Sequence, residues 1–213
     1  MTPASDPPAG EGPLTRAQRQ RQTRTALVEA ARGVFARDGF AGASLDTIAR
    51  DAGYSKGAVY SNFDGKAALF LAVMDHDLDR LGVDTWDPFV RVPVFDASDS
   101  PVGANLDDPG DPEVGIGFAL ATLEFIATAG RDPALRSALR ERVATLVGAY
   151  GEVARRHRTD DDPVTEDELA SMLAALDQGT ALLLLGGWET ADTAMLRRGL
   201  RRLLRPAPGE GPR

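Results

Sequence analysis

The chain has 213 residues, 43% hydrophobic and 26% charged, with a net charge of −8 and no cysteine. That length suits one compact unit or two small ones. The missing cysteine excludes disulfides, thiolate nucleophiles and zinc–thiolate sites, and no apolar run approaches the roughly 20 residues a membrane helix needs.

The charge is unevenly divided. Between Leu14 and Lys66 nine bases face five acids, a net of +4, so the remainder carries −12. Both lysines of the chain, Lys56 and Lys66, lie in this basic part. A basic segment on an acidic body suits a protein that approaches phosphates with one face only; solvated arginines are the plainer reading.

Residues 1–14, rich in Pro, Gly and Ala, carry no basic-then-apolar signal pattern and are expected to be a disordered lead-in. A cysteine-free chain without a leader fits a cytoplasmic location. A helix follows over 16–38, with Leu27, Ala31, Val34 and Phe35 on one face, stopped by Gly39. Ser44 then caps a short helix bearing Leu45, Ile48, Ala49 and Ala52, which ends at Gly53. Ser55 caps a third, through Phe63, with Val59 and Phe63 on its buried side. After Asp64-Gly65, residues 66–82 form a longer helix with Phe70, Met74, Leu78 and Leu81 on one stripe.

The pattern dissolves over 83–112, where Pro, Asp, Gly and Ser dominate and an acidic, mobile loop is expected. Trp86, Phe89, Val90, Val92, Val94 and Phe95 form an apolar cluster within it. Helices resume over 113–129 and, behind the Asp132-Pro133 start signal, over about 133–157 with room for a break. Thr165 and Glu168 make a capping box for a helix reaching Leu185, stopped by Gly186-Gly187. A last helix is expected over about 190–204. No alternating strand is found, so the fold class is all-α, with about nine helices.

Two short helices joined at Gly53 and braced by the first make a helix-turn-helix. The major groove, about 12 Å wide, admits one helix, whose leading turn must bring small or polar groups to base edges. Here that turn is Ser55, Lys56, Gly57 and Ala58. Gly57 lets backbone approach the duplex. Lys56 can donate to guanine or phosphate, and Ala58 can touch a thymine methyl. Tyr60, Ser61 and Asn62 carry donors one turn on. Ser44, Thr47 and Lys66 are placed for phosphate contacts.

The run from Leu45 to Phe70, with Ile48-Ala49, Ala52-Gly53-Tyr54-Ser55, Gly57-Ala58-Val59-Tyr60, Asn62-Phe63 and Lys66, resembles the DNA-binding domain of the tetracycline-repressor-like (TetR/AcrR) regulators. The likeness covers about residues 15–81. Tyr54 departs from the small aliphatic usual there, and Ala58 from threonine; Tyr54 is expected to reach the DNA backbone. With the lead-in over 1–14 set aside, the resemblance implies a DNA-binding domain over 15–64 and a helical regulatory and dimerisation domain over 65–205; the Pro- and Gly-rich tail over 206–213 is expected to be disordered.

The resemblance further implies a homodimer paired through the last two helices, reading a palindromic operator on double-stranded DNA. Ala175, Gly179, Leu182, Leu183, Leu196, Leu200 and Leu203 are the interface candidates, with intramolecular burial as the alternative. It also implies a small-molecule effector cavity, for which Trp86, Phe89, Phe118, Phe125, Met172, Leu176 and Trp188 are candidates against plain core packing. Glu124 and Asp177, among apolar neighbours, can meet a cationic ligand, an arginine or water.

No cofactor or metal is expected: His76 and His157 are isolated, no phosphate loop or nucleophile elbow appears, and the acidic loop lacks EF-hand spacing. The leading expectation is a repressor released by a ligand, not an enzyme. Two other readings stay open, a helix-turn-helix protein controlled by a protein partner or by no ligand, and an all-α enzyme with a fortuitous motif.

Overall fold

The computed structural model describes residues 15–81, 112–158, 164–188 and 191–204. Among these are eight helices and no strand. They are α1 (Arg16–Gly42), α2 (Leu45–Asp51), α3 (Lys56–Asn62), α4 (Gly65–Leu81), α5 (Pro112–Ala129), α6 (Pro133–His157), α7 (Glu166–Leu185) and α8 (Thr193–Leu203). The lead-in, the acidic loop with its apolar cluster, and the tail lie outside the described residues.

Local chemistry sets the helix ends. Ser44, Ser55 and Asp132 accept from the free amides of α2, α3 and α6, and Thr165 and Glu168 form the expected reciprocal box on α7. A second such box, Thr15 with Gln18, opens α1; its Thr-x-x-Gln spacing was readable and was missed. Gly39 interrupts α1 with φ 71° and ψ 172°, and one more turn follows it. α6 runs unbroken. α8 starts three residues later than expected, because Asp192 supplies its cap.

Two cores follow from the apolar stripes. The first gathers Leu27, Val34 and Phe35 of α1, Ile48 of α2, Val59 of α3, Leu69 and Phe70 of α4, and Phe118 and Phe125 of α5. Its centre is aromatic: the Phe70 ring lies 4.7 Å from Phe125 and 5.2 Å from Phe118, and Phe40 meets Phe125 at 5.0 Å. This core therefore continues across residue 64. α5 can lie close on α1 because a Cβ at Gly117 would sit 2.2 Å from the Ala36 carbonyl oxygen. The second core joins α6, α7 and α8 through Tyr150, Val153, Leu169, Leu173, Leu196 and Leu200.

Two arginine forks hold α4 between its neighbours. Arg32 Nε of α1 donates to both Asp77 oxygens at 3.1 and 3.2 Å. Arg142 of α6 grips Asp75 at 2.8 and 2.6 Å. Burial pushes the Asp77 carboxyl above its ordinary range, against the pull of Arg32.

Candidate nucleic-acid interface

The reading unit is built from α2, the turn and α3. After α2, Gly53 takes φ 76°, a left-handed value suited to glycine. The Tyr54 amide closes the turn on the Ala49 carbonyl at 2.8 Å. Ile48 and Val59 are fully buried and fix the two helices against α1. The opposite side of α3 is left in solvent: Lys56, Gly57 and Ser61 are exposed, Tyr60 is 57% exposed, and Ala58 is half-buried. Ser55 and Ser44 are exposed caps, and Thr47 is half-buried beside Ser44, whose hydroxyl donates to it at 3.0 Å.

Lys56 does not stand alone. Its ammonium pairs with Asp46 of α2 at 2.9 Å, with both side chains mostly in water. The hydrogen bond to Asp46, then its charge, raises the Lys56 pKa above the ordinary lysine value.

Several expected contacts are placed differently. The Ser61 hydroxyl and the Asn62 amide both donate to the Ala58 carbonyl, at 2.9 and 2.8 Å, so these donors turn back onto their own helix. Lys66 Nζ donates to the carbonyls of Ala41 and Ala43 at 2.9 and 3.0 Å and sits 5.0 Å above the Phe40 ring. It ties α4 to the end of α1, with two of three protons already engaged. Tyr54 is half-buried against the first core.

Sequence reasoning also missed Arg24. Its guanidinium donates to the Asn62 carbonyl at 2.9 Å and lies 4.3 Å from the centre of the Phe63 ring, locking α1 to the end of α3. Ala17, Gln20, Arg21, Arg24, Ser61 and Asn62 line a cleft of about 250 Å³ there. The spacing of the α1 members at i, i+3, i+4 and i+7 was the available signal.

Among the described residues, the effector candidates do not form one cluster. Phe118 and Phe125 are buried in the aromatic centre of the first core, each stacked on Phe70. Leu176 packs on the second core, whereas Met172 and Trp188 are 45% and 60% exposed. Trp86 and Phe89 lie outside the described residues. Glu124 accepts from the Ala41 amide. Asp177 is buried against Tyr150, and burial pushes both groups above their ordinary pKa values.

The interface candidates divide. Leu196 and Leu200 are buried inside the protomer, because the apolar stripe of α8 is covered by α7. On α7, Ala175, Gly179, Leu182 and Leu183 share one exposed face with Met172, and Leu203 of α8 is 40% exposed. α7 has the length and mean hydropathy (1.3) of a membrane-crossing helix, beyond what the sequence reading allowed, but its inner face packs in the second core and carries Asp177.

Residues 27–73 match the model of the tetR family of bacterial regulatory proteins. The chain is similar to the HTH-type transcriptional regulator SrpR of Pseudomonas putida, 39% identical over 89 residues, 38% of this chain and 41% of SrpR. The match thus spans less than half of that relative. Among solved structures, a Rhodococcus sp. protein assigned to the TetR family superposes with a TM-score of 0.65 at 20% identity, over 87% of this chain and all of that one. The multidrug binding protein EbrR, complexed with imidazole, superposes with a TM-score of 0.56 at 25% identity, over 88% of this chain and 97% of EbrR.

Proposed function

Since its residues 27–73 make this chain a member of the tetR family of bacterial regulatory proteins, we infer that it is a dimeric transcription regulator that reads a palindromic operator with α3. The observation that carries this reading is the outward face of α3. A helix anchored underneath by Val59 offers Lys56, Gly57 and Tyr60 to solvent on the basic part of an otherwise acidic chain. Dimerisation is supported by the exposed apolar face of α7. Two protomers joined there would set their reading helices to face two half-sites of one duplex. A cytoplasmic location accompanies this role.

Control by a small molecule is the further part of the reading, supported by the likeness to EbrR. Control by a protein partner is its rival.

In vitro selection from random duplexes with the full chain tests the core of the proposal. The expected product is an inverted repeat with half-site centres roughly 34–36 Å apart, or a multiple of that spacing. Enrichment of no repeat overturns it. Sedimentation of a Leu182→Glu, Leu183→Glu variant tests the pairing face, with a monomer expected and an unchanged dimer refuting it. A thermal-shift screen separates small-molecule control from its rival, because a ligand stabilises the state it binds.

A further inference from the structure

The N-terminal two turns of α1 have no core to bury. Residues 15–22 are all exposed, yet the helix is held at its start by the reciprocal Thr15–Gln18 bonds, with Thr15 N donating to Gln18 Oε1 at 2.7 Å. The face that buries Leu27 and Val28 continues backwards as Arg24, Arg21, Gln20 and Ala17. The pattern is maintained, but its chemistry changes from apolar to basic and polar. From Thr15 to Val28 there are four arginines and no acid.

We propose that the cleft between this part of α1 and the end of α3 seats a backbone phosphate of the bound duplex, with Arg21 as its principal donor. The inference rests on the reading of α3 as the groove helix. Four observations support it. The lining of the roughly 250 Å³ cleft contains no carboxylate. Arg24 is pinned by Asn62 and Phe63, which orders one guanidinium at the wall while most of its five N–H donors remain available. No acidic side chain pairs with Arg21 among the described residues.

The fourth observation is the position of the cleft. α3 spans seven residues, Lys56–Asn62, a length of about 10 Å at 1.5 Å per residue. The major groove is about 12 Å wide. A helix whose leading turn meets base edges therefore brings its far end to the strand at the groove rim, where only phosphate oxygens are offered. Arginine suits that role, because its planar fork meets phosphate with two parallel bonds. The donors of Ser61 and Asn62 are turned inward onto the Ala58 carbonyl, so the arginines are left to supply the cleft's donors.

The test uses the selected operator and the full-length dimer. Single methylphosphonate linkages are scanned along each half-site, for wild type, Arg21→Ala and Lys56→Ala. Wild type should lose roughly tenfold in affinity at one linkage on the groove rim in each half-site. Arg21→Ala should lose a similar amount on the natural duplex, become insensitive at that linkage, and keep every base preference. Its salt slope should fall by about 0.9 for each lost phosphate.

Unchanged affinity and slope for Arg21→Ala, with Lys56→Ala still impaired, overturns this site alone. A changed base preference in Arg21→Ala overturns the phosphate assignment. Stabilisation of wild type over Arg21→Ala by inorganic phosphate without DNA, with no sensitive linkage, identifies a free-anion site and refutes the duplex seat. Failure of wild type to select any operator removes the reading of α3 and this inference together.

Discussion

The carboxylate of Glu124 accepts a hydrogen bond from the amide of Ala41, 2.9 Å away and 83 positions earlier in the chain. It lies over Gly39, whose φ of 71° and ψ of 172° open the backbone between the body of α1 and its last turn. A Cβ at Gly39 would stand 2.6 Å from Glu124 Oε1. This contact fastens α5 to the segment that leads into α2.

Gly39→Ala should cost about 1–3 kcal/mol, because its backbone region is essentially reserved for glycine. Glu124→Ala should cost less, about 0.5–1 kcal/mol, since the freed amide is reached by water. Most of the Gly39→Ala loss should persist in a Glu124→Ala background, where the crowding is gone. Chemical denaturation reads all three; a loss confined to the Glu124-containing background would place the cost in crowding and not in the backbone.

The forks on α4 should be energetically real. Arg142 is 18% exposed and Asp75 47%, so the pair is only partly shielded from water. A double-mutant cycle of Arg142→Ala and Asp75→Ala should give a coupling of about 0.5–1 kcal/mol, toward the upper end of exposed pairs. A coupling indistinguishable from zero would reduce this fork to a surface contact and leave Arg32–Asp77, Lys66 and apolar packing to position α4.

Asp177 makes stability fall with rising pH. Burial raises its folded-state pKa above the unfolded value, so the folded chain holds this proton more tightly and gains from it fully below about pH 4. That gain is lost as pH rises through the raised pKa. Asp177→Asn, which mimics the protonated acid, should match wild type near pH 4 and exceed it in stability near pH 7. Denaturation at both pH values decides; a variant less stable at pH 7 would mean that the charged carboxylate is favourable inside the fold.

If Lys56 meets DNA as proposed, the Asp46 carboxylate 2.9 Å from its ammonium occupies one of its three donors and sets a negative charge beside the duplex. Asp46→Asn should therefore tighten operator binding several-fold, with little change in melting temperature. Lys56→Ala should weaken it by roughly tenfold. Equal affinities for wild type and Asp46→Asn would show that the pair persists on the duplex or never limits binding.

The sequence by itself determined the features that depend on residues within about four positions of one another. Ser44, Ser55, Asp132 and Thr165 cap where their spacing requires, since the amides they satisfy lie two or three residues on. Gly53 marks the turn, and the 3.6-residue stripes place Leu27, Val59 and Leu173 inward. The helix-turn-helix was legible for that reason. What covers a stripe is not local. Nothing local says what Phe118 and Phe125 face, and only the packing of α5 on α1 and α4 sets both against Phe70. Leu196 and Leu200 are turned inward by α7, while Leu182 and Leu183, no less apolar, are left outside. Long polar side chains were the least legible. Lys66 reaches the carbonyls of Ala41 and Ala43, and Arg24 reaches Asn62 and Phe63, each more than 20 positions away, because flexible stems and unpaired donors find partners that only the folded chain brings within hydrogen-bond distance.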